Sequence, residues 1–303
     1  DLIVRSSAVN QLYSMARDSR QPVIVVGQHG SGKTVLLSQF VRRFGDRVIS
    51  FFVGTDFWST RPYHFLMSCC VQMQQLVPKY HDVVFDDVNQ HELEDWFARL
   101  YAKAGKQGLQ SGRPFIFVVD GIDRIPESYG QPSILTFMPV DPVEGVLFVG
   151  SCIPGTSLPF KCETLPIPLL SQPETERYFS GILDCGHASR VHEVSAGLPG
   201  YLAHVRRQLL SGIPPSEILA DPAQSLSQLY ERDWQLVERS PVDISDILAL
   251  VAFSPEELSD DTLGSIMGLD RAAVRSILAP VQFLAVDEQS GIVRFQSDSH
   301  KHF

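Results

Sequence analysis

Positive charge is scarce in this chain. Its 25 Lys and Arg face 35 Asp and Glu, a net charge of -10, which argues against binding nucleic acid by bulk attraction, because neutralising phosphates takes clustered cations. Cysteine is sparse as well. The five present, Cys69, Cys70, Cys152, Cys162 and Cys185, show no metal-ligand spacing and no disulfide framework, and read as reduced thiols of an intracellular, cytoplasmic protein. No apolar run approaches the roughly 20 residues of a membrane helix, and no basic start followed by an apolar core marks a signal peptide, so a soluble chain without membrane partners is expected. Internal repeats and low-complexity runs are missing too. What is present is globular material: 303 residues, 44% hydrophobic and 20% charged, enough for two or three domains with proper cores. Starting at Asp1 and stopping at Phe303 as a new polar and aromatic stretch begins, the chain reads as a segment of a larger protein.

From Ser6 to Ser19 the apolar positions Val9, Leu12, Tyr13 and Met15 predict a helix capped by Ser6 or Ser7. Short apolar runs then recur as buried parallel strands do: QPVIVVG ending at 27, VISFFVG at 48–54, PFIFVVD at 114–120 and VEGVLFVGS at 143–151. Helical pattern separates them, ending near Gly45 after the first run and filling about 62–77 and 91–105 after the second, which predicts an α/β domain with a mostly parallel sheet. Past LPIPLLSQPETE the pattern becomes helix after helix from Glu174 to Leu278, broken at LPG (198–200) and IPP (213–215). The last sixty or so residues predict helices at 243–253, 259–267 and 270–278, then strands VQFLAVD and GIVRFQS joined by EQSG, a winged-helix plan. The fold class expected is therefore α/β, a parallel-sheet core followed by a helical domain and a winged-helix domain. Its divisions are a helical lead-in at 1–20, the core at 21–170, the helical domain at 171–240 and the winged helix at 241–303.

The chemistry begins at residues 27–34, GQHGSGKT, which match GxxxxGK[ST] between a predicted strand and a predicted helix. Gly27, Gly30 and Gly32 let the backbone curl so that the N–H groups of the loop, with Gln28, His29 and Ser31 between them, point inward beneath the positive end of a helix. Lys33 would reach the β and γ phosphates of a nucleotide, and the Thr34 hydroxyl would ligate Mg²⁺. The run FIFVVD delivers Asp120 at the end of a strand, the partner acid that holds a P-loop magnesium. Asp123, the next acid, either orients an attacking water or caps the turn that follows.

GQHGSGKT, VVDGIDRI, LTFMPVDPVEGVLFVGS, SAGLPGYL and the winged-helix pattern, in that order, resemble the STAND class of P-loop NTPases, most closely its NACHT branch; FFVGTDFWSTRPYHFL is similar to the NACHT segment after the second strand. The resemblance implies a switch: ATP or ADP with Mg²⁺ as cofactors, a closed ADP state, and an ATP state that opens and self-associates, while upstream and downstream partners stay unidentified. It also implies that Pro199 packs on the adenine and that Val4 and Arg5 of LIVR cover its other side, although the family's glycine before the arginine is missing. Two departures turn the expectation from motor to latch. Arg124 stands where the family's DGxDE has its last acid, and Ser151-Cys152-Ile153-Pro154 replaces a Ser-Arg-Pro whose arginine senses the γ-phosphate. Ser151 either contacts phosphate or caps its strand. The family's winged-helix histidine has its nearest equivalents in Ser297, Asp298, Ser299 and His300, which read equally as a polar linker.

The rival reading is an initiator-type AAA+ ATPase whose winged helix binds DNA. Between Pro241 and Phe303 the basic residues Arg271, Arg275, Arg294 and Lys301 face ten acids, and that balance disfavours DNA as a partner.

Overall fold

The computed structural model describes the chain apart from residues 1–2, 55–58, 82, 86, 127–131, 142, 239–243, 255, 280, 282 and 296–303, and the side chains at 78 and 236. Contacts divide it into two compact units, Asp1–Pro168 and Leu169–Phe303.

In the first unit, helix α1 (Ser6–Asp18) precedes β1 (Val23–Val26), α2 (Lys33–Phe44), β2 (Val48–Phe52), α3 (Pro62–Leu76), α4 (Gln90–Ser111), β3 (Phe115–Asp120), the single turn α5 (Ile134–Phe137), β4 (Val146–Cys152) and β5 (Glu163–Pro166). The strands form one parallel sheet in the order β2-β3-β4-β1-β5. The central strands read as unbroken apolar runs because both faces are covered. Alternate residues serve opposite cores: Ile24, Phe117 and Val119 pack with Phe65, Leu66 and Met73 of α3 and Leu93 and Leu100 of α4. Val23, Val25, Ile116 and Val118 pack with Leu12 of α1 and Leu36, Leu37 and Phe40 of α2.

One expectation needs correction, and one strand has no counterpart among those predicted. α1 begins at Ser6 with Arg5 in the capping position and no side-chain cap, so neither Ser6 nor Ser7 serves as one. Tertiary bonds fix the start of that helix instead: the Arg5 N–H donates to Gln39 Oε1 at 2.9 Å, Gln39 Nε2 donates to the Ile3 carbonyl at 2.7 Å, and the Arg5 guanidinium donates to the carbonyl of Pro168. Strand β5, which no apolar run announces, is an edge strand with only Leu165 buried, and Pro166 is tolerated there because an edge leaves one side unpaired.

The second unit carries α6 (Gln172–Tyr178), α7 (Cys185–Ser195), α8 (Pro199–Leu210), α9 (Pro215–Ala220), α10 (Leu226–Glu238), α11 (Ser245–Phe253), β6 (Leu258–Ser259), α12 (Asp260–Met267), α13 (Arg271–Leu278), β7 (Leu284–Val286) and β8 (Ile292–Phe295). The three short strands pair antiparallel in the order β6-β8-β7. Ile247, Leu263, Val274, Leu278 and Val293 join α11, α12, α13 and β8 in one core. Among the described residues, no helix is long and apolar enough to cross a membrane.

A fully buried carboxylate pins this C-terminal part together. Asp260, at the start of α12, accepts hydrogen bonds from Arg271 Nε at 3.1 Å and Arg275 Nε at 2.5 Å, both from α13, and its backbone N–H donates to Gly291 O at 2.9 Å. Asp260→Asn keeps the volume but leaves two guanidiniums without their carboxylate. We expect a loss of about 3 kcal/mol from this unit, read as a lower urea midpoint by Trp fluorescence. An unchanged midpoint would mean that the bonds are dispensable.

Candidate functional site

Neighbouring loops set the position of the site. The chain leaves β1 for α2 and its core, whereas the segment leaving β4 returns to the opposite face, where Leu158 and Phe160 pack. Adjacent parallel strands whose connections part in this way open a crevice at their C-terminal ends. Gly27–Gly32 occupies it.

Within the loop, Gly30 and Gly32 have φ of 75° and 87°, a region that costs glycine nothing. At Gly27 the constraint is space: a Cβ would lie 2.3 Å from Ile167 Cγ2 and 2.5 Å from Ser31 Oγ. Gln28 and His29 are exposed. Ser31 is 1% exposed, and its hydroxyl has no hydrogen-bond partner among the described residues. The first N–H groups of α2 have no acceptor within the helix. An orphaned buried hydroxyl, a glycine cradle and a helix N-terminus together suit a polyphosphate.

Lys33 folds back over this loop, its Nζ donating to the carbonyls of Gly27 at 2.6 Å and Gln28 at 3.2 Å. Burial holds its pKa below the ordinary lysine value. Asp123 and Asp120 pull it upward, and Arg124 pushes it down. The ammonium therefore sits among both acids singled out from the sequence.

Strand order brings the remaining groups together. Because β4 lies between β1 and β3, Ser151 pairs with Val25 and stands beside Asp120. Asp120 is 2% exposed, and its carboxylate accepts hydrogen bonds from Thr34 Oγ1 at 2.7 Å and Ser151 Oγ at 2.5 Å. The Ser151 hydroxyl in turn accepts from the Gly121 N–H at 3.0 Å. Ser151 is thus no simple strand cap. Sequence reasoning left it open because nothing in the chain states which strand lies between the other two.

Asp123 lies in a one-turn 3-10 helix, Ile122–Arg124, and its Oδ1 accepts from the Ile153 N–H at 3.1 Å, tying the loop after β3 to the end of β4. Arg124 donates from Nη1 to the Val53 carbonyl at 3.0 Å. Among the described residues no group of three or more His, Cys, Asp and Glu could hold a metal. A phosphate-bound magnesium needs no such group, since one hydroxyl and one carboxylate with phosphates and water complete its six oxygens. Thr34 and Asp120 fit that donor set.

The outlying candidates fall elsewhere. Arg5 is buried and Val4 is 72% exposed; Arg5 and Ile3, on either side of Val4, are tied to α2 through Gln39, a residue with no sequence signal of its own. Pro199 opens α8 in the second unit, half-buried, behind Ala196 (φ 48°) and Gly197 (φ 74°). A Cβ on Gly197 would stand 2.0 Å from the Leu170 carbonyl, and the Gly197 carbonyl accepts from the Leu170 N–H at 2.9 Å. Ser297, Asp298, Ser299 and His300 lie outside the described residues.

Residues 2–149 match the family model described as the AAA ATPase domain. No curated protein sequence matches the chain. Among solved structures, a Walker-type ATPase of Pyrococcus abyssi is 14% identical with a TM-score of 0.51, covering 100% of this chain and 95% of its own. A Signal Transduction ATPase with Numerous Domains carrying a tetratricopeptide repeat sensor, from Pyrococcus horikoshii, is 12% identical with a TM-score of 0.53, covering 100% of this chain and 42% of its own. At these identities the likeness is one of fold. The first unit has the fold of a P-loop NTPase core, and a helical region follows it.

Proposed function

We propose that the chain is a nucleotide-operated switch of the STAND, NACHT-like kind, in which ADP holds a closed form and ATP with Mg²⁺ favours an open, self-associating one. One observation carries the reading: the phosphate and metal groups Lys33, Thr34 and Asp120 are assembled, while the positions that would drive hydrolysis are diverted. Asp123 Oδ1 accepts from the backbone N–H of Ile153, and the position after it holds Arg124. A site of this kind binds a nucleotide well and cleaves it slowly.

In this reading residues 27–34 cradle the phosphates, and Thr34 and Asp120 hold Mg²⁺, which when bound neutralises charge across the β and γ phosphates. Ser151 positions the Asp120 carboxylate. Asp123 orients water inefficiently at best. Val4, Arg5 and Pro199 contribute to the base. The second unit divides into a helical domain at 171–240 and a winged helix at 241–303, and the nucleotide acts on them only through its differential affinity for the two forms.

A clasped nucleotide survives purification. Bound ADP should be extractable from the untreated protein and should stabilise it by about 4 kcal/mol at a thousandfold excess over its dissociation constant. Pro199→Ala should speed ADP release and shift the size distribution toward oligomers when ATP is added. Wild type that emerges empty, exchanges ADP within seconds and keeps one size with every nucleotide would leave an ordinary ATPase. A salt-sensitive shift of duplex DNA would instead support the initiator reading.

A further inference from the structure

A second place where charge and shape converge lies within the C-terminal unit, and it takes no part in the phosphate site. A cavity of about 540 Å³ is lined by residues of α8, of α13 and of the β7 hairpin. That volume falls within the range of small-molecule clefts. Much of its wall is aliphatic, with Leu210, Leu278, Val281, Leu284 and Val286 contributing. Leu210 is 68% exposed, more than a leucine on a well-packed helix needs to be.

Two guanidiniums interrupt the aliphatic wall. Arg275 gives its Nε to Asp260, a carboxylate it shares with Arg271, while its Nη2 is buried and has no acceptor among the described residues. No hydrogen bond or ion pair to a described residue holds the Arg207 side chain. Burial depresses its pKa, against weaker pulls from Tyr230, Asp233 and Tyr178. A half-buried guanidinium without a fitted oxyanion, as at Arg207, is costly, and an acceptor supplied from solution would be bound more strongly there than on an open surface.

The lining also contains one acid, Glu288. Asp260 and Asp261 offset Arg271 and Arg275, so on the cavity wall the one cation without a partner among the described residues, Arg207, faces the single acid Glu288. A dianionic phosphate is disfavoured on that count, and a carboxylate matches the flat edge of a guanidinium.

We propose that this cavity binds a small amphipathic carboxylate, whose head takes Arg207 and whose aliphatic chain lies along Leu210, Leu284 and Val286.

Octanoate below its micellar concentration is the probe, titrated calorimetrically into the full chain. Acetate (head without chain), octanol (chain without charge) and octylammonium (charge reversed) are the comparisons. Octanoate should bind, with each comparison at least about tenfold weaker, the value of one charge-assisted contact. Arg207→Gln should weaken octanoate about tenfold. Leu210→Glu, at an exposed position where folding is not at stake, should do the same by placing a carboxylate at the mouth; unchanged melting temperatures certify both variants. Octanol binding as tightly as octanoate, affinity unmoved by both variants, or no heat from octanoate at all would each overturn the proposal.

Discussion

Replacing Lys33 by alanine should remove nucleotide binding and leave the fold in place. The ammonium makes no contact on which the sheet depends; its partners are the carbonyls of Gly27 and Gln28, in the loop itself. It is half-buried, its pKa is lowered by desolvation, and it stands near Asp123 and Asp120. A phosphate oxygen arriving there exchanges a neutral carbonyl contact for a charge-assisted one. That difference is worth roughly 1.5 to 3 kcal/mol, or about ten- to 150-fold in affinity. Since the lysine also offsets repulsion between the phosphates and the two acids, the upper end of that range is expected. Calorimetry with ADP measures it, and circular dichroism should superimpose on wild type. An unchanged ADP affinity would remove the phosphate-cradle reading, and the switch with it.

Much of the site could be read from the sequence because its parts are contiguous. GQHGSGKT is a local device, and its glycines are demanded by backbone curl and by the lack of room at Gly27. Apolar runs marked β1 to β4 because each is buried on both faces, and the predicted strand at 48–54 simply stops two residues sooner, at Phe52. What depends on strand order was not legible. The insertion of β4 between β1 and β3 brings Ser151 to Asp120 and ties Asp123 to Ile153, yet apolar alternation is the same for any order of parallel strands. Edge strand β5 was hidden for the opposite reason. With one residue buried it has no apolar run to show. Gln39 escaped because a glutamine on an amphipathic helix reads as surface, whereas here the oxygen and the nitrogen of its amide hold Arg5 and Ile3 of the lead-in. Pro199 lies at a position where proline is favoured in any helix, so its spacing alone says nothing of an adenine.

The other large effect concerns Asp120, where a metal role and a structural role predict different outcomes. Both of its oxygens are engaged, by Thr34 from the phosphate loop and by Ser151 from β4, and the side chain is almost wholly buried. If the carboxylate serves magnesium, Asp120→Asn should weaken Mg²⁺-dependent ATP binding at least about tenfold, the scale of a charge-assisted contact, while ADP measured without Mg²⁺ changes little. If it serves only to hold Thr34 and Ser151 in place, both nucleotides should weaken together, with or without the metal. Ser151→Ala separates the two further. It keeps the charge and removes the donor that orients it, so the dependence on Mg²⁺ should persist with affinity reduced several-fold, and the Gly121 N–H is left to find another acceptor. Asp123→Ala should lower turnover without weakening either nucleotide, since it removes a charge that repels the phosphates, and turnover in wild type should already fall below the usual enzyme range of about 1 to 1,000 per second. Equal loss of ATP and ADP in the Asp120 variant would reassign this carboxylate to the scaffold. The magnesium would then have Thr34 as its only ligand from this pair, too little to favour the triphosphate, and an ATP-driven opening would lose its cause.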